Sequence, residues 1–139
     1  MRPEPEWRHP RGVLDTSVVI DLGTLAAAQL PVEATITSLT LAELAAGVAI
    51  AADPLERAKR FARYERCMLD YRVLDFDSDT AQAFSLIYAA SVAVGRSPRG
   101  RRSIDLLIAA IAARHGLPLY TRNPDDFAGL DGVVTVVAV

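Results

Sequence analysis

The sequence predicts an α/β protein, a three-layer α/β/α sandwich around a central parallel sheet of four to five strands. Short apolar runs alternate with longer segments of helical patterning, which is typical of βαβ units with helices on both faces of a sheet. The chain has 139 residues, 51% of them hydrophobic, enough for one domain with its own core. We expect residues 12–139 to form this domain and the proline-rich residues 1–11 to form a disordered or extended tail.

Five apolar runs, several of them rich in β-branched residues, are predicted to be the strands. They are GVLD at 12–15, ATIT at 34–37, RVLDF at 72–76, LPLYT at 117–121 and VVTVVAV at 133–139. In parallel sheets of this kind, ligands bind outside the carboxyl ends of the strands. The residues that follow each run are therefore the first candidates for a functional site.

Helical segments are expected between these runs. A short turn is predicted over 17–22, and the best-defined helix start is Asp53 as N-cap with Pro54 at the first helical position. The other predicted helices run from about Thr40 to Ala52, from Asp79 to Val94 and over 101–116, the last of them closed by Gly116.

Three acidic residues stand at the expected carboxyl edge of the sheet. Asp15 ends the first strand, Glu43 is the only charged residue between 41 and 52, and Asp105 precedes eight consecutive apolar residues. Each acid has a purely structural alternative. Asp15 could cap the following turn, Glu43 could complete a capping box with Thr40, and Asp105 could sit at the second position of a helix capped by Ser103. These alternatives stay open for each residue, but all three would have to hold at one edge.

The stretch YTRNPDDF adds polar residues after the fourth strand. Asn123, Asp125 and Asp126 lie here, and an Asn-Pro turn accounts for Asp125 on structural grounds. Carboxylates that converge repel one another and are costly to desolvate, and a divalent cation removes that cost. Mg²⁺ prefers hard oxygen ligands, and the chain has no His or Cys cluster for zinc and no glycine-rich phosphate loop. This composition favours metal-assisted hydrolysis of a phosphodiester.

Together, VLDTSVVIDL, SLTLAELAAG and SIDLLIAAIAARHGLPLYTRNPDDF resemble the PIN-domain ribonucleases, in particular the VapC-type toxins of bacterial toxin–antitoxin pairs. The resemblance extends from about Gly12 to Val139. It implies Mg²⁺- or Mn²⁺-dependent RNA cleavage that leaves a 5′-phosphate and a 3′-hydroxyl, and growth arrest when the antitoxin is absent. It also implies a homodimer and a hetero-oligomer with a VapB-type antitoxin that covers the site.

The resemblance also assigns roles to residues. Asp15, Glu43 and Asp105 match the acidic triad of the family, with Asp15 and Asp105 holding the ion and Glu43 completing its shell or orienting the attacking water. The fourth family position falls at Asn123, where many relatives carry an aspartate, and Asp126 is the acid that could replace it in catalysis. The side chains expected to hydrogen-bond the carboxylates or the phosphate are Thr16, Ser17, Thr121 and Asn123.

Arginines supply the expected contacts to RNA, because the net charge of −2 gives no global basic signature. The loop GRSPRGRR precedes Asp105, and its arginines can pair with phosphates, the alternative being a solvated loop. These arginines are Arg96, Arg99, Arg101 and Arg102. A second basic set is interleaved with glutamates on the helix after Asp53 and is interpreted as a solvated or antitoxin-facing surface. It consists of Arg57, Lys59, Arg60, Arg63 and Arg66.

Two functions other than that of a nuclease stay open at this point. A receiver-like phospho-acceptor domain needs a lysine after a late strand, but the only lysine is Lys59, within a helix. A catalytically impaired PIN fold acting as a binding module is the stronger alternative, because of Asn123. Cys67 is the only cysteine, and the longest uncharged run, 80–95, has 16 residues and is too short to span a bilayer. We therefore expect a soluble, cytoplasmic protein with no membrane contact.

Overall fold

The computed structural model describes residues 9–139, in which five parallel strands form one sheet in the order β3-β2-β1-β4-β5. The strands are β1 Arg11–Leu14, β2 Glu33–Thr37, β3 Arg72–Leu74, β4 Leu119–Thr121 and β5 Val136–Ala138. Helices cover both faces of the sheet. This architecture confirms the predicted α/β/α sandwich, although β3, β4 and β5 are shorter than the apolar runs that predicted them.

Five α-helices and three short 3₁₀ turns connect the strands within the described residues. The α-helices are α1 Thr16–Ile20, α2 Ser38–Ala49, α3 Pro54–Asp70, α4 Ser78–Ala93 and α5 Arg101–Arg114. The 3₁₀ turns are Leu22–Thr24, Ala27–Gln29 and Pro124–Phe127. None of the helices in this part of the chain is both long enough and apolar enough to cross a membrane.

Alternation along the central strands supplies a core on each face of the sheet. Val13 and Leu119 face the core that contains the buried side of α5, whereas Leu14 and Tyr120 face the core that contains Val18 of α1. All four side chains are at least 97% buried. Because both faces are covered, the sequence of these strands reads as continuous apolar runs.

Two helix starts differ from the prediction. Helix α2 begins at Ser38 with Thr37 as its N-cap, and the Thr37 hydroxyl accepts the Thr40 backbone N–H at 3.2 Å. Helix α5 begins at Arg101 after Gly100, and the Ser103 hydroxyl donates to the Gly100 carbonyl instead of capping the helix. The predicted caps at Thr40 and Ser103 are therefore wrong. A glycine suits the α5 boundary because Gly100 has a φ of 65°, which side-chain-bearing residues rarely adopt.

The boundary between tail and domain also lies earlier than predicted. Arg11 is the first residue of β1, and the backbone carbonyls of His9 and Pro10 accept the N–H groups of Val32 and Glu33. Residues 9–11 thus belong to the amino end of the central strand β1 and its approach, and not to a tail. The remainder of the predicted tail, 1–8, lies outside the described residues.

The sheet order creates a switch point between β1 and β4. After β1 the chain continues to β2 and β3 on one side of β1, and it later returns to form β4 on the other side. The segments that follow β1 and β4 therefore run in opposite directions away from these two neighbouring strands. A crevice forms at such a point, and it is where open α/β sheets bind ligands. Asp15 directly follows β1, and Arg122 directly follows β4.

Candidate active site

A polar cleft of about 550 Å³ opens at this switch point. Acidic residues from four separate segments line it, together with two arginines. The lining residues are Asp15, Thr16, Ser17, Glu43, Arg101, Asp105, Arg122, Asn123, Pro124, Asp125 and Asp126. The structure therefore brings Asp15, Glu43, Asp105 and Asp126, which are far apart in the sequence, around one cavity.

Asp15 is held at the floor of the cleft by a full set of hydrogen bonds. Its Oδ1 accepts the Thr16 backbone N–H at 2.8 Å, and its Oδ2 accepts the hydroxyls of Ser17 and Thr121, each at 2.9 Å. Only 4% of the residue is exposed. Burial raises the pKa of Asp15 above its usual value, and the three donors oppose that rise. Asp15 is thus both the N-cap of α1 and a cleft carboxylate, so its structural and functional interpretations are compatible.

Glu43 reaches the cleft from α2 and is oriented by Thr16. The Thr16 hydroxyl donates to Glu43 Oε1 at 2.6 Å and lies 2.9 Å from the Thr40 hydroxyl. The capping box predicted for Thr40 and Glu43 is absent, because Thr37 caps the helix. The only charged residue of α2 therefore points to the site and not to its own helix end.

Asp105 is the fifth residue of α5 and lies at the start of the second turn of the helix. At that position it cannot receive a free backbone N–H, so the helix-start explanation fails. Its side chain is half-buried in the cleft. Desolvation, followed by the charges of Asp15, Asp126 and Glu43, raises the pKa of Asp105 to about 7, and Arg101 opposes this rise. The acids of the cleft are therefore close enough to repel one another.

The segment after β4 forms the opposite wall. The Thr121 hydroxyl, which donates to Asp15, also accepts the Asn123 backbone N–H at 3.0 Å. Pro124–Phe127 forms a 3₁₀ turn, and the Asp126 N–H donates to the Asn123 carbonyl at 3.0 Å. The predicted helical turn at Pro124 is confirmed, and Asn123 and Asp126 both line the cleft.

Sequence reasoning missed two residues of the cleft. Asp125 was explained by the Asn-Pro turn but lines the cavity as well. The second residue is Arg122, whose backbone N–H donates to the Ser17 hydroxyl at 3.1 Å and whose Nε lies 3.3 Å from Asp21 Oδ2. Its position directly after Thr121 in a strand-end segment was the available signal.

The predicted arginine loop contributes one residue to the cleft. Arg101 lines it, whereas Arg96, Arg99 and Arg102 are not among its lining residues. Arg101 belongs to the first turn of α5, which points it towards Asp105 one turn later. The RNA contacts expected of the other three remain predictions.

The donor set fits a divalent ion of the magnesium type. The cleft offers carboxylate oxygens, and the mutual repulsion that raises the pKa of Asp105 is the cost that a cation would relieve. Across residues 9–139, no group of three or more His, Cys, Asp or Glu side chains is placed to hold a metal ion. Mg²⁺ is usually bound by only one or two carboxylates and keeps waters or substrate oxygens in its shell, which is compatible with this cleft.

Comparison with known proteins agrees with this geometry. The sequence model of the PIN domain matches residues 12–133. The chain is 41% identical over 128 residues to "Ribonuclease VapC5" of Mycobacterium tuberculosis strain ATCC 25618 / H37Rv. The aligned region covers 90% of this chain and 91% of the relative.

Solved structures match over nearly the full length. One is a member of the VapBC family of toxin–antitoxin systems, VapBC-5 from Mycobacterium tuberculosis, with a TM-score of 0.78 and 39% identity, covering 94% of this chain and 99% of that one. FitAcB from Neisseria gonorrhoeae matches with a TM-score of 0.69 and 26% identity, covering 89% and 94%. PIN nucleases generally use divalent metal ions. The chain thus belongs to the PIN-domain family, as a VapC-type member.

Proposed function

We propose that this chain is the toxin of a VapBC-type pair and hydrolyses RNA phosphodiester bonds with the help of Mg²⁺ or Mn²⁺. The observation that carries the proposal is the convergence of Asp15, Glu43, Asp105 and Asp126 on one cleft at the switch point of the sheet. The similarity to a relative named as a ribonuclease supports the choice of RNA as substrate.

Asp15 and Asp105 are the residues that would hold the ion. Asp15 is immobilised by Thr16, Ser17 and Thr121, so it offers a fixed carboxylate at the floor of the cleft. Asp105 stands on α5 with an elevated pKa and would lose its proton when a cation binds. Bound here, a divalent ion supplies a water of lowered pKa and offsets charge on the phosphate.

Glu43 is placed to orient the attacking water. The short hydrogen bond from Thr16 occupies Oε1 and leaves Oε2 for a water or for the ion shell. Asp126 takes the fourth acidic position from the wall formed by the 3₁₀ turn, and Asn123 offers an amide beside it. Arg101 and Arg122 line the same cleft and would pair with phosphate oxygens, which draws a polyanion towards an acidic centre.

The regulatory partner proposed is a VapB-type antitoxin that covers the cleft. The similarity to a solved VapBC structure supports this partner. We also propose a homodimer in the cytoplasm. The exposed apolar side chains of α4 support a self-association surface. They include Leu86, Tyr88 and Val92, which are 61%, 45% and 50% exposed.

A cleavage assay tests the activity. The purified chain should cut single-stranded RNA in Mg²⁺ or Mn²⁺, stop in EDTA, and lose activity in Asp15→Asn. Asp79→Asn is the matched control, because Asp79 is an exposed acid that pairs with Arg114 and does not line the cleft. RNA binding without cleavage under all metal conditions would indicate a binding module and overturn the enzymatic proposal.

Expression in bacteria tests the toxin role. Expression without the antitoxin should arrest growth, and Asp105→Ala should relieve the arrest while the variant remains folded by circular dichroism. A folded Asp105→Ala variant that still arrests growth would contradict the role of Asp105.

A further inference from the structure

A second cavity of about 400 Å³ lies beside the acidic cleft, between α1, α2, α3 and the start of α5. Its walls carry three arginines, two glutamates and two aliphatic side chains. The lining residues are Thr16, Ile20, Glu43, Leu44, Gly47, Glu56, Arg60, Arg63 and Arg101.

The two cavities adjoin each other. Thr16, Glu43 and Arg101 line both of them, so the second cavity extends the groove beyond Glu43. The sign of the charge changes along this groove. The cleft carries an excess of carboxylates, whereas arginines outnumber the glutamates in the second cavity.

Arg60 forms a fixed part of the wall. Its Nη1 donates to the Gly47 carbonyl at 2.7 Å, and its Nε donates to Glu56 Oε1 at 3.0 Å. These bonds tie α3 to the C-terminal half of α2 and neutralise Glu56. The guanidinium of Arg60 is therefore structural.

Arg63 and Arg101 differ from Arg60 in this respect. Arg63 lies three residues after Arg60 and so shares its helix face. Among residues 9–139, neither Arg63 nor Arg101 has a hydrogen bond or ion pair, although both line the cavity. Two guanidinium groups without a hydrogen-bonded partner thus line one cavity, and the charge of Arg101 also acts on Asp105.

We infer that the second cavity is a phosphate-binding subsite, in which Arg63 and Arg101 hold an RNA phosphate next to the one that lies in the acidic cleft. This inference rests on the proposed ribonuclease function and adds a path for the strand. Two observations carry it: the cavities share a wall, and the sign of their charge differs. The acidic cavity suits a cation with the scissile phosphate, and the basic cavity suits an anion alone. It also changes the interpretation of Arg63, which the sequence assigned to a solvated or antitoxin-facing surface.

The aliphatic residues of the cavity fit the same ligand. Ile20 is 45% exposed, and it offers apolar surface where a ribose or base would pack. Since no side chain here presents a fixed pattern of donors to a base edge, the subsite would position the strand without selecting a sequence.

Arg63→Ser tests the subsite. Binding of a fluorescent twelve-nucleotide RNA is measured by anisotropy in the Asp15→Asn background, which keeps the strand intact, at several salt concentrations. We expect the dissociation constant to rise about tenfold, because a charge-assisted hydrogen bond is lost. The slope of log affinity against log salt should fall by about 0.7, since one fewer phosphate is neutralised. Arg63→Lys should restore the slope, and in the active chain Arg63→Ser should raise KM at unchanged kcat.

Arg66→Ser is the matched control, because Arg66 lies on the same helix, is exposed and does not line the cavity. It should change neither affinity nor slope. If the chain cleaves RNA but Arg63→Ser binds with an unchanged slope, the subsite is wrong and the ribonuclease proposal stands. If the chain neither binds nor cleaves RNA, both are wrong. A loss of antitoxin inhibition with unchanged RNA binding would make the cavity a protein-docking surface and also overturn the subsite.

Discussion

Thr16 orients two acids of the cleft at once. Its hydroxyl donates to Glu43 Oε1 at 2.6 Å, and its backbone N–H donates to Asp15 Oδ1 at 2.8 Å. Thr16 is the first residue of α1, so the start of this short helix links the end of β1 to the middle of α2. The residue is 6% exposed, and water cannot readily replace these bonds.

Thr16→Val should lower kcat about tenfold with little change in KM. Valine keeps the shape of threonine but removes the donor to Glu43, so the carboxylate loses its fixed orientation. Single-turnover cleavage of a short RNA measures the effect. Thr35→Val is the control, because Thr35 is equally buried and donates to the Gly12 carbonyl away from the cleft. Equal activity in the two variants would contradict the role of Thr16.

Ion binding should release a proton below neutral pH. Burial and the neighbouring carboxylates raise the pKa of Asp105 to about 7, so a cation must displace a proton from Asp105 at pH 6. Titration calorimetry with Mn²⁺ in buffers of different ionisation enthalpy measures the released proton. Affinity should rise from pH 5.5 to 7 and then level off. Proton release that persists unchanged in Asp105→Asn would assign it to another group.

The same pKa predicts how stability depends on pH without metal. A carboxyl whose folded-state pKa is raised favours the folded state fully below its unfolded value of 3.8, and this contribution is lost as the pH rises through about 7. Asp105→Asn should therefore gain stability relative to the parent between pH 5 and 8, as measured by denaturant unfolding in EDTA. A difference between the two proteins that does not vary with pH would contradict this linkage.

Because Asn123 occupies the fourth acidic position of the family, we expect the cleft to bind only one ion tightly. Asn123 brings no charge, so a second ion would lack ligands until substrate phosphate oxygens arrive. Calorimetry with Mn²⁺ should show one tight site in the parent, and Asn123→Asp should strengthen a second. Asp126→Asn should lower activity without abolishing it. Two equally tight sites in the parent would contradict the single tight ion, and full activity in Asp126→Asn would contradict the role of Asp126.

Gly12 is expected to be intolerant of a side chain. A Cβ at this position would stand 2.6 Å from Tyr120 Cε1 and 3.1 Å from Pro31 Cγ, so the packing of β1 against β4 would have to shift. Gly12→Ala should destabilise the fold by about 1–3 kcal/mol, the usual range for overpacking. Gly23→Ala is the control, since a Cβ there meets no atom within 4 Å. Chemical denaturation compares the two, and equal stability would refute the packing argument.

Much of the fold could be predicted because buried strands and helices have recognisable apolar patterns in the sequence. The central strands are covered on both faces, so they appear as apolar runs, and parallel connections need helices between them. The acids Asp15, Glu43 and Asp105 could be found because each is an acidic residue within or next to an apolar segment. Glu43, for example, is the only charged residue of α2.

The exact helix starts could not be predicted, because several nearby residues are each able to precede or cap the helix. Thr37 caps α2 in place of Thr40, and Gly100 precedes α5 in place of Ser103, because the backbone path and not the residue type decides which group is free to cap. Likewise, nothing in the sequence of α3 distinguishes Arg63 from Arg66. Only the packing of α3 against α2 turns one of them towards the groove.

The central position of β4 has a consequence for the synthesis of this protein. Thr121 and Asp15 are joined by a hydrogen bond across a separation of 106 residues, and β4 docks directly beside β1. Contacts of such long range form late in folding, after the entropic cost of closing a large loop has been met. A growing chain that has reached only α4 carries Asp15 and Glu43 but has neither Asp105 nor the wall at Asn123–Asp126. We therefore expect a nascent chain that ends within α4 to cleave no RNA, because its cleft lacks Asp105 and Asp126.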